Sequence, residues 1–313
     1  PMAPVVNVVF PVFALILVGY LAGRFRLLGD ASSEALNRFV YYVALPAMFF
    51  ASLARLRPAE IFDLPFIAAY GGGQIAVFVA AFVAARWLFR HGSSEASLFA
   101  MGGVFGNSGY MGIPLALIAF GPEGTLPAIL ATVFKSTVTI AAVTILIETD
   151  PRRRTGDSHA LRDAAGAVFR SPLVMSAVGG ILWSLTGFGV AKPVGAFLDL
   201  LAAAAGPCAL FAIGLFLVGK PVRQGLGEVG TITAVKLILH PLVTWVLAFH
   251  VFVVDPTWAV VAVVMAALPA GANCFVIAAR YNVFTARASG TILLSTLVSV
   301  VTLSILFSFW IGQ

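Results

Sequence analysis

Ten apolar stretches, each long enough to cross a lipid bilayer, run almost end to end along this chain, and nothing constrains its fold more. They cover roughly residues 5–24, 34–53, 66–89, 95–120, 126–148, 172–189, 197–219, 229–253, 257–279 and 285–311. A helix rises 1.5 Å per residue, so about 20 apolar residues cross a hydrocarbon layer of about 30 Å. Inside that layer no water satisfies the backbone, which leaves helices as the open solution for segments of this length. Charged residues make up 10% of the chain and the mean hydropathy is +1.02, against roughly 25% charge in soluble domains. A water-soluble enzyme is excluded. The expectation is an all-α polytopic membrane protein with ten transmembrane helices.

The first stretch has no basic region before it and no small-residue cleavage site, so it is expected to remain as a helix and not to act as a signal peptide. Cys208 and Cys274 both fall inside apolar stretches. They are expected to serve as small apolar residues and carry no information on redox compartment.

A net charge of +6 would suit a nucleic-acid partner, but the basic residues are sorted by loop. With the N-terminus outside, thirteen lie in inner loops: Arg24, Arg26, Arg86, Arg90, Arg152, Arg153, Arg154, Arg162, Arg170, Lys220, Arg223, Arg280 and Arg287. Three lie in outer loops, namely Arg55, Arg57 and Lys192. The positive-inside rule then places both termini outside, in the periplasm or extracellular space, and the 149–171 segment in the cytoplasm. This fits a multi-pass protein of a bacterial inner (plasma) membrane. The charge reads as orientation, and no nucleic-acid partner is expected.

The stretches divide into a first set of five over 1–148 and a second over 172–313. Residues 42–50 (YVALPAMFF) parallel 203–211 at an offset of 161; Thr132–Thr137 parallels Thr291–Thr296 at 159. Because each set holds an odd number of spans, the second enters the membrane from the opposite face, so the two form inverted repeats. In the 149–171 linker, Leu161, Ala164, Ala165, Val168 and Phe169 recur at helical spacing beside Arg162 and Arg170, as in a short interfacial helix.

Two polar interruptions fall in the middle of the fourth and ninth stretches. One is Gly106-Asn107-Ser108-Gly109-Tyr110-Met111-Gly112-Ile113-Pro114; the other is Leu268-Pro269-Ala270-Gly271-Ala272-Asn273-Cys274-Phe275. Each joins helix breakers to an asparagine, and Asn107 and Asn273 stand 166 residues apart. Breaks at this depth persist only where they line a cavity or bind something. A matched pair in two halves is the pattern of a secondary transporter with its site where the broken helices meet. The start of a half-helix presents N–H groups and suits an anion; the end of one presents carbonyls and suits a cation. Gly112, Pro114 and Pro269 are the expected breaking residues. Asn107, Ser108, Gly109, Tyr110, Gly271 and Asn273 are the expected binding residues, with no metal.

Lys135 is the unexpected charge, about 13 Å into its span at 1.5 Å per residue. It is expected either to balance an anionic substrate or to hold unwound carbonyls at the crossing. Lys236, nearer the inner end of its span, is expected to snorkel to the interface. His240 and His250 are read as interfacial and structural. No Asp or Glu lies near the centre of a span, so a carboxylate-based sodium or proton site is not supported. No Walker loop, paired HExxH or membrane-depth Ser/His/Asp set is present, so neither an enzyme nor a cofactor is expected.

The motifs at 107–115 and 268–273, with Gly19-Tyr20-Leu21-Ala22-Gly23-Arg24 and the Leu36–Pro46 run, resemble the signatures of the auxin efflux carrier family. The likeness covers essentially the whole chain. The short linker is similar to the bacterial branch, whose members include malonate and malate permeases, and not to the plant PIN proteins with long central loops. The resemblance implies a ten-helix, inverted-repeat fold of the NhaA type with helices four and nine crossing. It further implies a scaffold half and a transport half, and an organic carboxylate bound at the crossing near Asn107 and Asn273, with Pro114 and Pro269 setting the breaks. These prolines lie on opposite sides of their asparagines, seven residues after one and four before the other, so the breaks are not equivalent.

The expected function is therefore alternating-access transport of a small organic anion, a mono- or dicarboxylate of the malonate or malate kind. The bilayer and the anion are the expected partners, and a homodimer is compatible with the sequence. A sodium-coupled symporter of the bile-acid type is the rival within transport. A membrane sensor is the rival outside it, and the 23-residue linker offers such a sensor no output domain.

Overall fold

The computed structural model describes residues 3–55, 63–150, 166, 170–219 and 225–310. Among these every named element is helical. In chain order they are α1 (Ala3–Arg24); α2 (Asp30–Phe39, Val40–Ala44 and Leu45–Ala54 in continuous sequence); α3 (Leu64–Leu88); and α4 (Ser93–Val104). Then come α5 (Ser108–Gly112 running into Ile113–Glu148), α6 (Pro172–Leu185), α7 (Lys192–Leu217), α8 (Leu226–Ala234 through Val235–Leu239 and His240–Val246 to Leu247–Val251), α9 (Pro256–Ala267), α10 (Asn273–Arg280) and α11 (Thr285–Trp310). Most of the expected linker helix, including Leu161, Ala164, Val168 and Phe169, lies outside the described residues.

Six helices are long and apolar enough by themselves to cross a membrane: the Ala31–Ala54 part of α2, α3, α5, α7, α8 and α11. Their outward faces carry Ile75, Val79, Val83, Phe197, Leu200 and Val301, all exposed. A continuous apolar exterior of this kind belongs against lipid. The expected fourth and ninth stretches are each cut in two; α4, α9 and α10 are too short to cross alone, while the second piece of the fourth runs on into α5.

Proline placement explains most of the helical irregularity. The segments Val40–Ala44, Ser108–Gly112 and Val235–Leu239 are π-helical, and each ends two residues before a proline: Pro46, Pro114 and Pro241. Proline lacks an N–H and collides with the carbonyl four residues back, so the helix widens by one residue there instead of stopping. Gly121 differs. Its φ of 66° and ψ of −155° bend α5 between two helical segments, with Pro122 next, at the junction expected between the fourth and fifth stretches.

The helices pack as two groups that do not follow the sequence halves. In one, α1 lies along α7, and α2 packs on α6 and α7. In the other, α3, α4, α5, α8, α9, α10 and α11 pack on one another. The α1–α7 approach is so close that a Cβ on Gly214 would overlap the Ile16 carbonyl and one on Gly19 the Phe211 carbonyl. Glycine is needed at both positions because backbones touch there, the small-residue logic of membrane helix pairs. Half-helices α4 and α9 form the centre of the second group, with residues 96–104 and 259–267 buried throughout. Helices that are apolar all round belong in such a position.

Each end of the bundle is tied by charged groups. Arg55 grips Asp199 with both nitrogens, at 2.8 and 3.0 Å, joining the end of α2 to α7. At the other end Glu228 Oε2 hydrogen-bonds His91 Nε2 and forms an ion pair with Arg287 Nε, each at 2.9 Å, linking the α3–α4 turn, α8 and α11. Asp150 accepts both the backbone N–H and the hydroxyl of Ser94 at the start of α4.

Candidate functional site

The two interruptions meet. Between α4 and α5 the chain is non-helical over residues 105–107, and between α9 and α10 over residues 268–271; Gly106 and Ala270 face each other as an antiparallel bridge. Asn107 N donates to Pro269 O at 2.7 Å and Gly271 N donates to Phe105 O at 2.8 Å. Two short ladder bonds thus satisfy backbone groups that would otherwise be orphaned at this depth. Close contact requires small residues: a Cβ on Gly271 would stand 3.0 Å from Gly106 O.

Pro269 lies inside the second break, its carbonyl accepting from Asn107 N. The first break lies further toward the N-terminus than Gly112 and Pro114 suggest. The chain leaves α4 after Val104 and is helical again from Ser108, so both residues sit beyond the break. Pro114 acts instead on the π-helical turn before it. The residues that are non-helical are Phe105, Gly106 and Asn107.

Lys135 is 2% exposed, and its Nζ donates to Gly106 O and to Ser108 Oγ, both at 2.5 Å, with the Phe105 ring centroid at 4.0 Å. The bond to Gly106 O is a contact with an unwound carbonyl, one of the two roles open from sequence. An ammonium has three N–H donors, so the two bonds leave one over. On the other break, Ser295 Oγ of α11 accepts from Ala270 N at 3.0 Å. The bridged residues Gly106 and Ala270 are therefore each held by a side chain from the helix that ends its half of the chain.

Lys236 does not snorkel. It is fully buried, donates to Ala266 O, and has His240 Nδ1 at 3.3 Å. Its face of α8 is turned onto α9, which closes any route to the interface. His240 is likewise fully buried and not interfacial.

Beside the bridge is a small cavity of about 40 Å³, lined by Phe105 to Tyr110, Gly271, Ala272 and Asn273, with Thr132, Lys135 and Ser136 of α5. At 10–15 Å³ per water, it has room for about three water molecules. Every expected binding residue lines it: Asn107, Ser108, Gly109, Tyr110, Gly271, Asn273 and Lys135. Its remaining walls, Tyr41 of α2 and Leu173 of α6, come from the other helix group. The cavity therefore sits on the boundary between the groups.

The starts of α5 and α10 both open onto it. Asn107 precedes α5 without capping it through its side chain, which leaves the carboxamide to the cavity. The arrangement offers N–H groups of two helix starts, two carboxamides, hydroxyls and one ammonium, and no carboxylate. Such a donor set suits a small anion. Sequence reasoning missed Thr132, Ser136, Tyr41, Leu173 and Ser295. Thr132 and Ser136 flank Lys135 at helical spacing, a signal that was available; a lone serine such as Ser295 gives none.

A polar cavity between two broken helices, inside a bundle with an apolar exterior, marks a multi-pass membrane protein. The chain belongs to the family described as membrane transport protein, the auxin efflux carrier family, whose model matches residues 4–168 and 159–307. It is 34% identical over 306 residues to a Rhizobium meliloti protein described as "Putative malonate transporter", covering 97% of this chain and 95% of that one. It is 28% identical over 303 residues to an "Uncharacterized transporter" of Methanothermobacter thermautotrophicus, with 94% and 95% covered. Against the Escherichia coli K12 "Uncharacterized transporter YfdV" the identity is 25% over 299 residues, with 93% of each covered.

Proposed function

We propose that this protein is a secondary carrier for a small organic anion, a mono- or dicarboxylate of the malonate kind, working by alternating access. The observation that carries the proposal is the cavity at the Gly106–Ala270 bridge, which joins two helix starts, two asparagines and an ammonium with no carboxylate. Substrate contacts are assigned to Asn107, Ser108, Gly109, Tyr110, Gly271, Asn273 and Lys135. The name borne by the Rhizobium meliloti relative supports a dicarboxylate, and the small cavity volume supports a short one. Walls drawn from both helix groups support a mechanism in which one group moves against the other, exposing the site to each face in turn.

Purified protein screened by thermal shift against a panel of short carboxylates should be stabilised by malonate or a close analogue, because a ligand that binds only the folded state raises the melting temperature. Stabilisation by bile acids with sodium, and by no short carboxylate, would replace this reading with the symporter.

The ten-span, inverted-repeat topology is part of the same proposal, with residues 1–148 and 172–313 as the repeats and both termini outside. Its support is that Arg287, assigned to an inner loop, and His91, next to the inner-loop Arg90, meet Glu228 at one end, while the outer-loop Arg55 meets Asp199 at the other. Cysteines placed at Arg153 and at Lys192 should react with impermeant reagents from opposite faces, Arg153 from the cytoplasm. Labelling of both from the periplasm would remove the model.

A further inference from the structure

Away from the cavity, the second buried lysine stands among polar groups that the proposed anion site does not use. Lys236, His240 and Thr244 follow at four-residue intervals on α8 and so share one face. All three are fully buried. Because an ammonium only donates, His240 Nδ1 is the acceptor in its contact with Lys236, and a neutral ring then carries its hydrogen on Nε2. That Nε2 has no partner among the described residues. Neither has Thr244 Oγ1, nor Gln74 Oε1 on the facing α3. Gln74 is otherwise tied down, since its nitrogen donates to Thr139 on α5. The two helices touch at this level: the Tyr70 ring lies 6.3 Å from the imidazole, and a Cβ on Gly73 would stand 2.8 Å from Thr244 Oγ1. Buried polar atoms are almost always partnered, so three open ones on facing helices mark a place where something polar is taken up.

The charged surroundings narrow what that is. Titratable groups on the elements around α8 are Tyr70 of α3, Lys135 of α5 and Cys274 of α10 in the interior. Toward the ends stand Asp63 and Arg86 of α3, Glu95 of α4, Glu123 and Glu148 of α5, Asp255 at the start of α9, Arg280 of α10, Arg287 of α11 and His91, with Glu228 and His250 on α8 itself. The acids are engaged or at helix ends and bends: Glu228 holds His91 and pairs with Arg287, Asp63 caps α3, Asp255 caps α9, Glu95 lies in the first turn of α4, Glu123 follows the Gly121 bend and Glu148 ends α5. Among the described residues no carboxylate stands beside Lys236 to bind a metal cation, whereas an amine hydrogen-bonded to an imidazole is a proton donor in contact with a proton acceptor.

We propose that Lys236 and His240 form a proton site and that the proton held there is the coupling ion of the carrier; this rests on the carrier reading above. In the loaded form the proton is the third hydrogen on Lys236 Nζ. Release breaks that Nζ–H bond as Nδ1–H forms, giving an imidazolium. The Nε2–H bond then breaks and the proton passes to a water molecule held by Gln74 Oε1 and Thr244 Oγ1. A neutral amine remains, with the ring hydrogen now on Nδ1, and uptake reverses each step. The lysine donates to Ala266 O, one residue from the end of α9 and four residues before the bridged Ala270. Loading therefore changes the charge at the root of the break that carries Asn273.

The test compares wild type with His240→Asn in liposomes, using malonate as the probe. Asparagine keeps an oxygen acceptor for Lys236 but has no second nitrogen to pass a proton on. For each protein, malonate accumulation under an imposed pH gradient is divided by counterflow without a gradient. Wild type should accumulate malonate about tenfold per pH unit for one coupled proton, and the variant should lose the gradient response. Wild-type accumulation indifferent to the gradient, or a variant that responds like wild type, overturns the proposal. If wild type shows no malonate counterflow, the substrate reading fails, and imidazole-¹⁵N NMR of the detergent-solubilised protein decides the proton site alone. There the His240 resonance should report a hydrogen-bonded Nδ1 that titrates and that Lys236→Met alters. A signal unchanged by pH and by that substitution overturns the proposal.

Discussion

Asn107→Ala and Asn273→Ala should each lose about 10- to 100-fold in affinity for the proposed carboxylate substrate, with expression unchanged. A hydrogen bond to a charged group contributes about 1.5–3 kcal/mol, and once the cavity closes around its ligand no water replaces the missing donor. The cavity is small enough that both carboxamides reach the same ligand. Folding is expected to survive because neither side chain holds the breaks together. That task falls to the backbone bonds of Asn107 and Gly271 and to Ser295. Asn282 gives the comparison. It turns the chain at φ 51° after α10, so Asn282→Gly should leave affinity intact. Isothermal titration of the three variants measures this directly. Wild-type affinity in both crossing variants would place the site elsewhere.

Lys135→Ala should behave differently, losing both binding and thermal stability. Two bonds end, and Gly106 O becomes a buried acceptor with no partner, which costs about 1–3 kcal/mol by itself. With the lost charge added, affinity should fall by more than the asparagine variants lose, and the melting temperature should drop with it. Lys135→Arg should recover stability only in part, since a planar guanidinium cannot occupy the position of a compact ammonium between a carbonyl, a hydroxyl and the Phe105 ring. The pair of readouts separates the roles: binding without stability loss marks a pure substrate contact, and the reverse a pure strut. A variant unchanged in both would show the lysine to be merely accommodated.

Helix positions were legible because lipid imposes a length and an apolar character on each crossing segment, and both are written in composition. The breaks were legible to within a few residues. Proline misled in the fourth stretch, because its effect falls on the carbonyl four residues back and produces the π-helical turn at 108–112 while the true break needed only Gly106 and its neighbours. Lys236 was misjudged because distance along a helix does not tell which neighbour covers its face. Its spacing of four to His240, together with Gln74 as a lone polar residue after three glycines, was the available signal. The two-group packing left no mark, since it joins helices from both halves through apolar surfaces that resemble those facing lipid.

That seam between the groups has a mechanical consequence. The ion pairs found among the described residues all lie within one group or the other. Across the boundary, Tyr110 Oη reaches the Asn37 carbonyl at 3.3 Å, and Phe216 rests against Phe275. Apart from that one hydrogen bond, such contacts are weak and without direction, a bearing and not a catch. In the proposed mechanism, sliding would exchange one set of dispersion contacts for another, with no ion pair across the seam to break among the described residues.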